Sequence, residues 1–286
     1  FFLAINLLIP GIIIQFSVWL RRRRQSWILI SWLVIAVLIF LSEAFRYRLL
    51  LIAFPMLLLW FFYCKRRPKL VVILLFMTLF VGLSGAISIA RGNLRGFALE
   101  KVAAYNPAEI FVASFEEAGV FFTTSAVIES FPSRYSFIGL KPLLTAVSQP
   151  IPRSLWSSKP SGAYAKDIPD RIYNVGYKTQ AVFLCYGEYY IMFGWPSLIM
   201  ISLFLGAALR CLWTWFLWRQ YEPLAQCVYL LNASYLYVVI SRGYLSQVIM
   251  LYCTIVLPLV IVYSLLSRRE ANTNSVFSSG RLGANE

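Results

Sequence analysis

Seven runs of 16 to 23 almost uninterrupted apolar residues divide this chain, and they constrain its fold more than any other feature. They cover 1–20, 26–41, 49–64, 70–90, 189–209, 224–240 and 244–266. A helix rises about 1.5 Å per residue, so about 20 residues cross the roughly 30 Å of hydrocarbon in a bilayer. Inside lipid, every backbone N–H and C=O must be paired within the segment, which leaves runs of this kind a helical conformation. Composition agrees: 60% of residues are hydrophobic and 13% charged, against about 45–50% and about 25% in a soluble domain. The expected fold class is an all-α polytopic membrane protein. It has about seven transmembrane helices and one large extracytoplasmic loop.

The net charge of +14 would suit a nucleic-acid partner if the cations formed a stripe. They do not. They sit in short clusters between apolar runs, where a membrane protein keeps its topology signals, so the expected surroundings are membrane lipids and no nucleic acid. With Arg21–Arg24 in the cytoplasm, alternation also puts Lys65–Lys69, the Arg210/Arg219 segment and Arg268–Arg269 there, twelve Lys/Arg in all. The short outer connections hold only Arg46, Arg48 and Arg242, as the positive-inside rule requires. The chain divides into N-terminal transmembrane helices (1–90), a large outer loop with an amphipathic helix (91–187), C-terminal transmembrane helices (188–266) and a polar cytoplasmic tail (267–286) expected to be disordered. It opens at Phe1 inside an apolar run, which reads as a piece of a longer protein with further helices upstream.

No residue pattern for a P-loop, zinc site, dinucleotide fingerprint or catalytic triad is present. The five cysteines lie in or beside apolar runs without a CxxC pair, so they read as small apolar residues rather than metal ligands. There is no histidine. No metal or cofactor is expected.

The long loop opens with "NPAEIFVASFEEAGVFFTTSAVIESFP". Asn106 as N-cap, Pro107 at the first helical position and Glu109 at the third form a capping-box pattern, and Pro132 stops the helix. Ile110, Phe111, Phe115, Ala118, Phe121 and Phe122 share one side. This helix either packs on the outer face of the bundle or lies in the interface beside a lipid substrate. The stretch "QPIPRSLWSSKPSGAY" then holds an extended backbone through its prolines and presents Arg153 and Lys159.

Seven cations gather on the outer rim: Arg46, Arg48, Arg91, Arg95, Arg153, Lys159 and Arg242. A single arginine there is explained by snorkelling to lipid phosphate. The set points to a pocket for an anionic ligand, because a guanidinium fork grips phosphate oxygens bidentately. Glu188, in "YGEYYIMFG", is an acid at the mouth of a span, either a functional group or the structural partner of an arginine. Trp156, Tyr164, Tyr177, Tyr189 and Trp195 read as an aromatic belt or as stacking platforms for sugar rings.

The arginine pair of "FRYRLLL", the loop motif "IPRSLWSSKP", and "GEYYIMFG" followed by Gly206 in "LFLG" resemble oligosaccharide repeat-unit polymerases of the Wzy-type O-antigen family. The resemblance covers most of the chain. It implies a GT-C-like architecture and a multi-pass protein of the bacterial inner membrane with a periplasmic active site. The implied activity is a glycosyltransferase that moves a growing glycan from an undecaprenyl-diphosphate carrier onto a new lipid-linked repeat unit, for O-antigen, capsule or exopolysaccharide. The implied partners are the undecaprenyl-diphosphate-linked oligosaccharide and a chain-length regulator protein. On this reading the seven cations bind diphosphate, Glu188 is the catalytic base, and Trp156 and Tyr189 stack on sugars. The competing classes are a lipid-linked oligosaccharide flippase and an O-antigen ligase. The ligases use an outer-loop histidine that this chain lacks.

Overall fold

The computed structural model describes residues 4–42, 46–64, 69–91, 106–114, 119–149, 151, 154–160, 162, 164–173 and 183–267. These residues form helices and connections, with no strand among them. A 3-10 turn, Ala4–Leu7, leads into α1 (Leu8–Arg22). Then come α2 (Ser26–Ser42), α3 (Arg46–Cys64), α4 (Leu70–Arg91), α5 (Pro107–Ser114), α6 (Gly119–Ser130), α7 (Lys141–Ser148) and α8 (Tyr164–Tyr173). The last four are α9 (Cys185–Phe193), α10 (Trp195–Arg219), α11 (Pro223–Ser241) and α12 (Leu245–Ile255), and α12 resumes after a turn at Val256 to reach Ser267.

Local chemistry accounts for the ends and breaks. Arg23 closes α1 in the left-handed conformation (φ 51°), its N–H donating to the Trp19 carbonyl. The turn at Val256 precedes Pro258, which has no N–H to give the Thr254 carbonyl. The expected capping box forms at α5: Ala108 N–H donates to Asn106 Oδ1 at 3.4 Å, and Asn106 N–H donates to Glu109 Oε2 at 3.2 Å.

Among the described residues, five helices are long and apolar enough to cross a membrane: Ala4–Arg22, Tyr47–Cys64, Trp195–Arg219, Pro223–Ser241 and Leu245–Ser267. Ser26–Ser42 and Leu70–Leu83 are shorter apolar helices. The large side chains on several of these faces point outward, with Trp27 85%, Leu79 65% and Phe204 77% exposed. Such surface suits hydrocarbon as its solvent, not water.

The run expected to cross as a single helix from Tyr189 is broken. Gly194 sits at φ +74°, closing α9 and opening α10, with Pro196 in the new first turn. Ser197 braces the break, its hydroxyl donating to the Tyr189 and Gly194 carbonyls at 2.6 and 2.9 Å. Glu188 therefore rides on a nine-residue helix ahead of the long one.

The helix read as running from Asn106 to Pro132 is described as two, α5 and α6, with 115–118 outside the described residues. Its expected apolar side faces outward, with Phe111, Phe121 and Phe122 all exposed. The face of α6 that packs inward carries Thr123, Thr124, Val127 and Ser130 instead. Its hydroxyls donate to carbonyls one turn back, from Gly119, Val120 and Ala126, so burying them leaves no donor unpaired. Helix α5 lies so close on α4 that a Cβ at Gly85 would stand 1.9 Å from the Ile110 carbonyl oxygen.

Two apolar cores result. The larger joins α1, α2, α3, α11 and α12 around Ile12, Phe40, Leu51, Leu231 and Ile255. The smaller joins α6 and α9 around Val127, Phe131, Phe183, Tyr190 and Ile191. The helix ends sort into two sets. A crevice of about 330 Å³ lies between α1 (Ser17, Val18), the start of α11 (Pro223, Leu224) and the end of α12 (Leu266, Ser267). Beside it, Arg219 donates to the Tyr263 hydroxyl, which donates to Glu222 at 2.8 Å. The start of α3, the end of α11 and the start of α12 meet at the other end, together with α9.

Candidate functional site

The turn between α11 and α12 is stitched to the segment that enters α9. Gly243 N–H donates to the Phe183 carbonyl at 2.8 Å. A Cβ at Gly243 would lie 2.5 Å from that oxygen and 2.7 Å from the Leu184 carbonyl oxygen, so only glycine fits the approach. Leu184 N–H is bound in turn by the Thr124 hydroxyl of α6 at 2.9 Å. Three separate parts of the sequence are fixed at one point.

Glu188 stands one turn further along α9 and is 1% exposed. Its Oε2 accepts Leu245 N–H at 2.8 Å, so the carboxylate satisfies an otherwise unpaired donor in the first turn of α12. The positive end of that helix favours the negative charge. Its Oε1 accepts the Tyr164 hydroxyl of α8 at 2.5 Å. Tyr164 is itself 3% exposed and lies edge-on to Tyr244, ring centroids 6.1 Å apart.

Burial dominates the titration of this acid. Loss of water raises the Glu188 carboxyl to about 7, against the opposing pull of the Tyr164 and Leu245 hydrogen bonds. The Tyr164 phenol is pushed well above its usual range by burial and by the adjacent Glu188. Burial likewise lifts the neighbouring Cys185 thiol to about 11, which keeps it protonated and unreactive at neutral pH.

Arg242 immediately precedes Gly243. Its guanidinium carbon lies 4.8 Å from the centre of the Tyr47 ring, and that of Arg48 lies 5.7 Å from the same ring. Arg48 also lies 5.5 Å from the Phe40 ring and is only 6% exposed. All three contacts are of cation–π type. Two cations 194 positions apart, on α3 and after α11, thus share one aromatic ring at the end of the bundle that holds Glu188.

The other sequence candidates fall as follows. Arg46 is the first residue of α3 and Arg91 the last of α4; their side chains are not described. Arg95 and Arg153 lie outside the described residues. Lys159 turns back on its own loop, donating to the Gln149 and Ile151 carbonyls at 3.1 and 2.9 Å. Trp156 is exposed, with its indole N–H on Ser158. Tyr189 is buried rather than offered to solvent. Sequence reasoning grouped Tyr164 with the belt aromatics and did not single out Leu245 or Gly243. The signal for Gly243 was "RGY" in a connection too short for any other residue to approach a neighbouring backbone.

Comparison with family models, with curated proteins and with solved structures returns no match for this chain.

Proposed function

We propose that the chain polymerises undecaprenyl-diphosphate-linked oligosaccharide repeat units at the periplasmic face of a bacterial inner membrane. All seven apolar runs span, and the loop 91–187 lies outside. The single observation that supports this best is the junction of Glu188, an acid of near-neutral pKa, with the 242–245 turn, whose Arg242 shares the Tyr47 ring with Arg48. Glycosyl transfer from a lipid diphosphate asks for those two chemistries together.

In the reaction the Glu188 carboxylate removes the proton from an acceptor sugar hydroxyl. That oxygen attacks the anomeric carbon of the donor glycan. The bond from that carbon to the diphosphate oxygen breaks, and the electron pair leaves on undecaprenyl diphosphate. Arg48 and Arg242 neutralise the charge that develops there, and Arg46, Arg91, Arg95 and Arg153 are the further cations assigned to the diphosphate. The proton stays on Glu188 until solvent takes it. A carboxyl of pKa near 7 is matched to this task at neutral pH, where it is basic enough to accept a proton and about half of it is ionised.

A flippase reading asks for charged side chains along a central path. Among the described side chains of α1, α2, α3, α11 and α12, the one buried charge is Arg48. The test is to incubate the purified protein in lipid with a synthetic undecaprenyl-diphosphate-linked repeat unit. A ladder of products supports the polymerase, whereas movement of the substrate between leaflets without new linkages would establish the flippase.

A further inference from the structure

The acid at the centre of this site is closed off, and a tyrosine hydroxyl occupies the carboxylate oxygen that Leu245 leaves free. Glu188 is 1% and Tyr164 3% exposed, so no acceptor reaches the carboxylate while the phenol is in place. We infer that the Tyr164 hydroxyl holds the place of the acceptor sugar's hydroxyl, and that α8 is a lid which must withdraw before transfer. The inference rests on Glu188 being the base.

The geometry is that of the reacting pair. An O–H donor points at Glu188 Oε1 at 2.5 Å, within the reach a base needs for the proton it abstracts. The other oxygen is held by Leu245 N–H on a different element, so the carboxylate keeps its position when α8 leaves. The lid is small: ten residues, bearing Tyr164 at its first position. Gly162 just ahead of it lies against the Tyr244 phenol, where a Cβ would come within 1.9 Å of the hydroxyl oxygen. A sugar hydroxyl that displaces Tyr164 restores the hydrogen bond the carboxylate loses, so the exchange leaves no buried acceptor unpaired.

The titratable groups bearing on the carboxylate are Tyr164 from α8 and Cys185 and Tyr189 from its own helix. Tyr244 of the turn faces Tyr164, and Arg242 stands two residues before it. From α6 the nearest described contact is the uncharged Thr124.

Tyr164→Phe tests the inference, because it keeps the ring and its contact with Tyr244. The first readout is infrared titration of the full-length protein in lipid, following the protonated-carboxyl band that is missing from Glu188→Gln. Removing the hydroxyl removes a bond that lowers the Glu188 pKa, so the midpoint rises. The second readout is ladder formation at a pH above both midpoints. The acceptor KM is expected to fall about tenfold with kcat within a few-fold, since the acceptor no longer displaces a hydrogen bond to a charged group. An unmoved midpoint overturns the inference, as does a reduced kcat with an unchanged or higher KM. A wild-type protein that makes no ladder at all removes the base reading and the lid with it. A normal ladder with an unmoved KM removes the lid alone.

Discussion

Glu188 Oε2 accepts the backbone N–H of Leu245, 57 residues further along the chain, at 2.8 Å. One side chain thereby joins the short helix below the outer loop to the head of the last long helix. The bond gives Glu188 a structural duty as well as a chemical one, and the two separate by substitution. Glu188→Gln retains an acceptor for Leu245 but cannot take a proton. It is expected to fold and bind substrate normally while turnover falls by about 10²–10⁴-fold. Glu188→Ala leaves the Leu245 donor unpaired as well and should also lower thermal stability, by about 1–3 kcal/mol. Parallel measurements of melting and turnover on the two variants check this.

Stability and activity should depend on pH in opposite directions. An unfolded glutamate titrates near about 4.3, and folding raises Glu188 to about 7. Between these values the unfolded chain loses its proton first. This group's contribution to stability is therefore full below the lower value, declines as pH rises, and is gone above the upper one. Activity rises over the upper part of the same window as the base ionises. Glu188→Gln should abolish this part of the stability slope. A melting series across pH that is identical for wild type and Glu188→Gln would contradict the assignment.

Arg48 of α3 and Arg242, just after α11, both lie against the Tyr47 ring. Replacing either by Ala is expected to reduce kcat/KM by about 10–100-fold, the scale of a lost charge-assisted hydrogen bond. Replacement by Lys should recover only part, because a point charge cannot reproduce the fork. Wild-type glycan length in both Ala variants would make these residues lipid anchors.

Two glycines should respond differently to a methyl group. Gly243→Ala drives a Cβ into two carbonyl oxygens at 2.5 and 2.7 Å, where neither backbone can yield without breaking the junction. A loss of about 1–3 kcal/mol is expected. Gly162→Ala meets the outer end of the Tyr244 side chain, which can turn aside, so its cost is smaller. Thermal melting of the two variants reads the difference, and equal losses would argue against the stitched junction.

What was legible in the sequence followed from chemistry that acts over one turn. The apolar runs, the Asn106–Glu109 capping box and the basic clusters each carry their cause within a few residues. Pairing Arg48 with Arg242 at one end needed only the alternation of spans. Glu188 stood out because an acid beside a greasy run is costly. Its partners did not, because Tyr164 and Leu245 lie 24 and 57 positions away and periodicity carries no information about such contacts. The break at Gly194 was hidden because the run stays apolar on both sides of it. The face of α6 was misleading for another reason: its threonines are satisfied within the helix and can turn in, which leaves the aromatic side outward.

Orientation is tested by Ser158→Cys, an exposed position in the loop. It should react with a membrane-impermeant thiol reagent in intact cells with a permeabilised outer membrane. Labelling confined to lysed cells would put the loop in the cytoplasm and remove the lipid-diphosphate site from the periplasm.

The most direct measurement is the product ladder itself, from wild type and Glu188→Gln side by side. Each is placed in lipid with the same undecaprenyl-diphosphate-linked repeat unit, and substrate binding is measured in parallel. The account predicts a ladder from wild type and none from Glu188→Gln at equal binding. Ladders of equal yield from both proteins, or none from either, would contradict it.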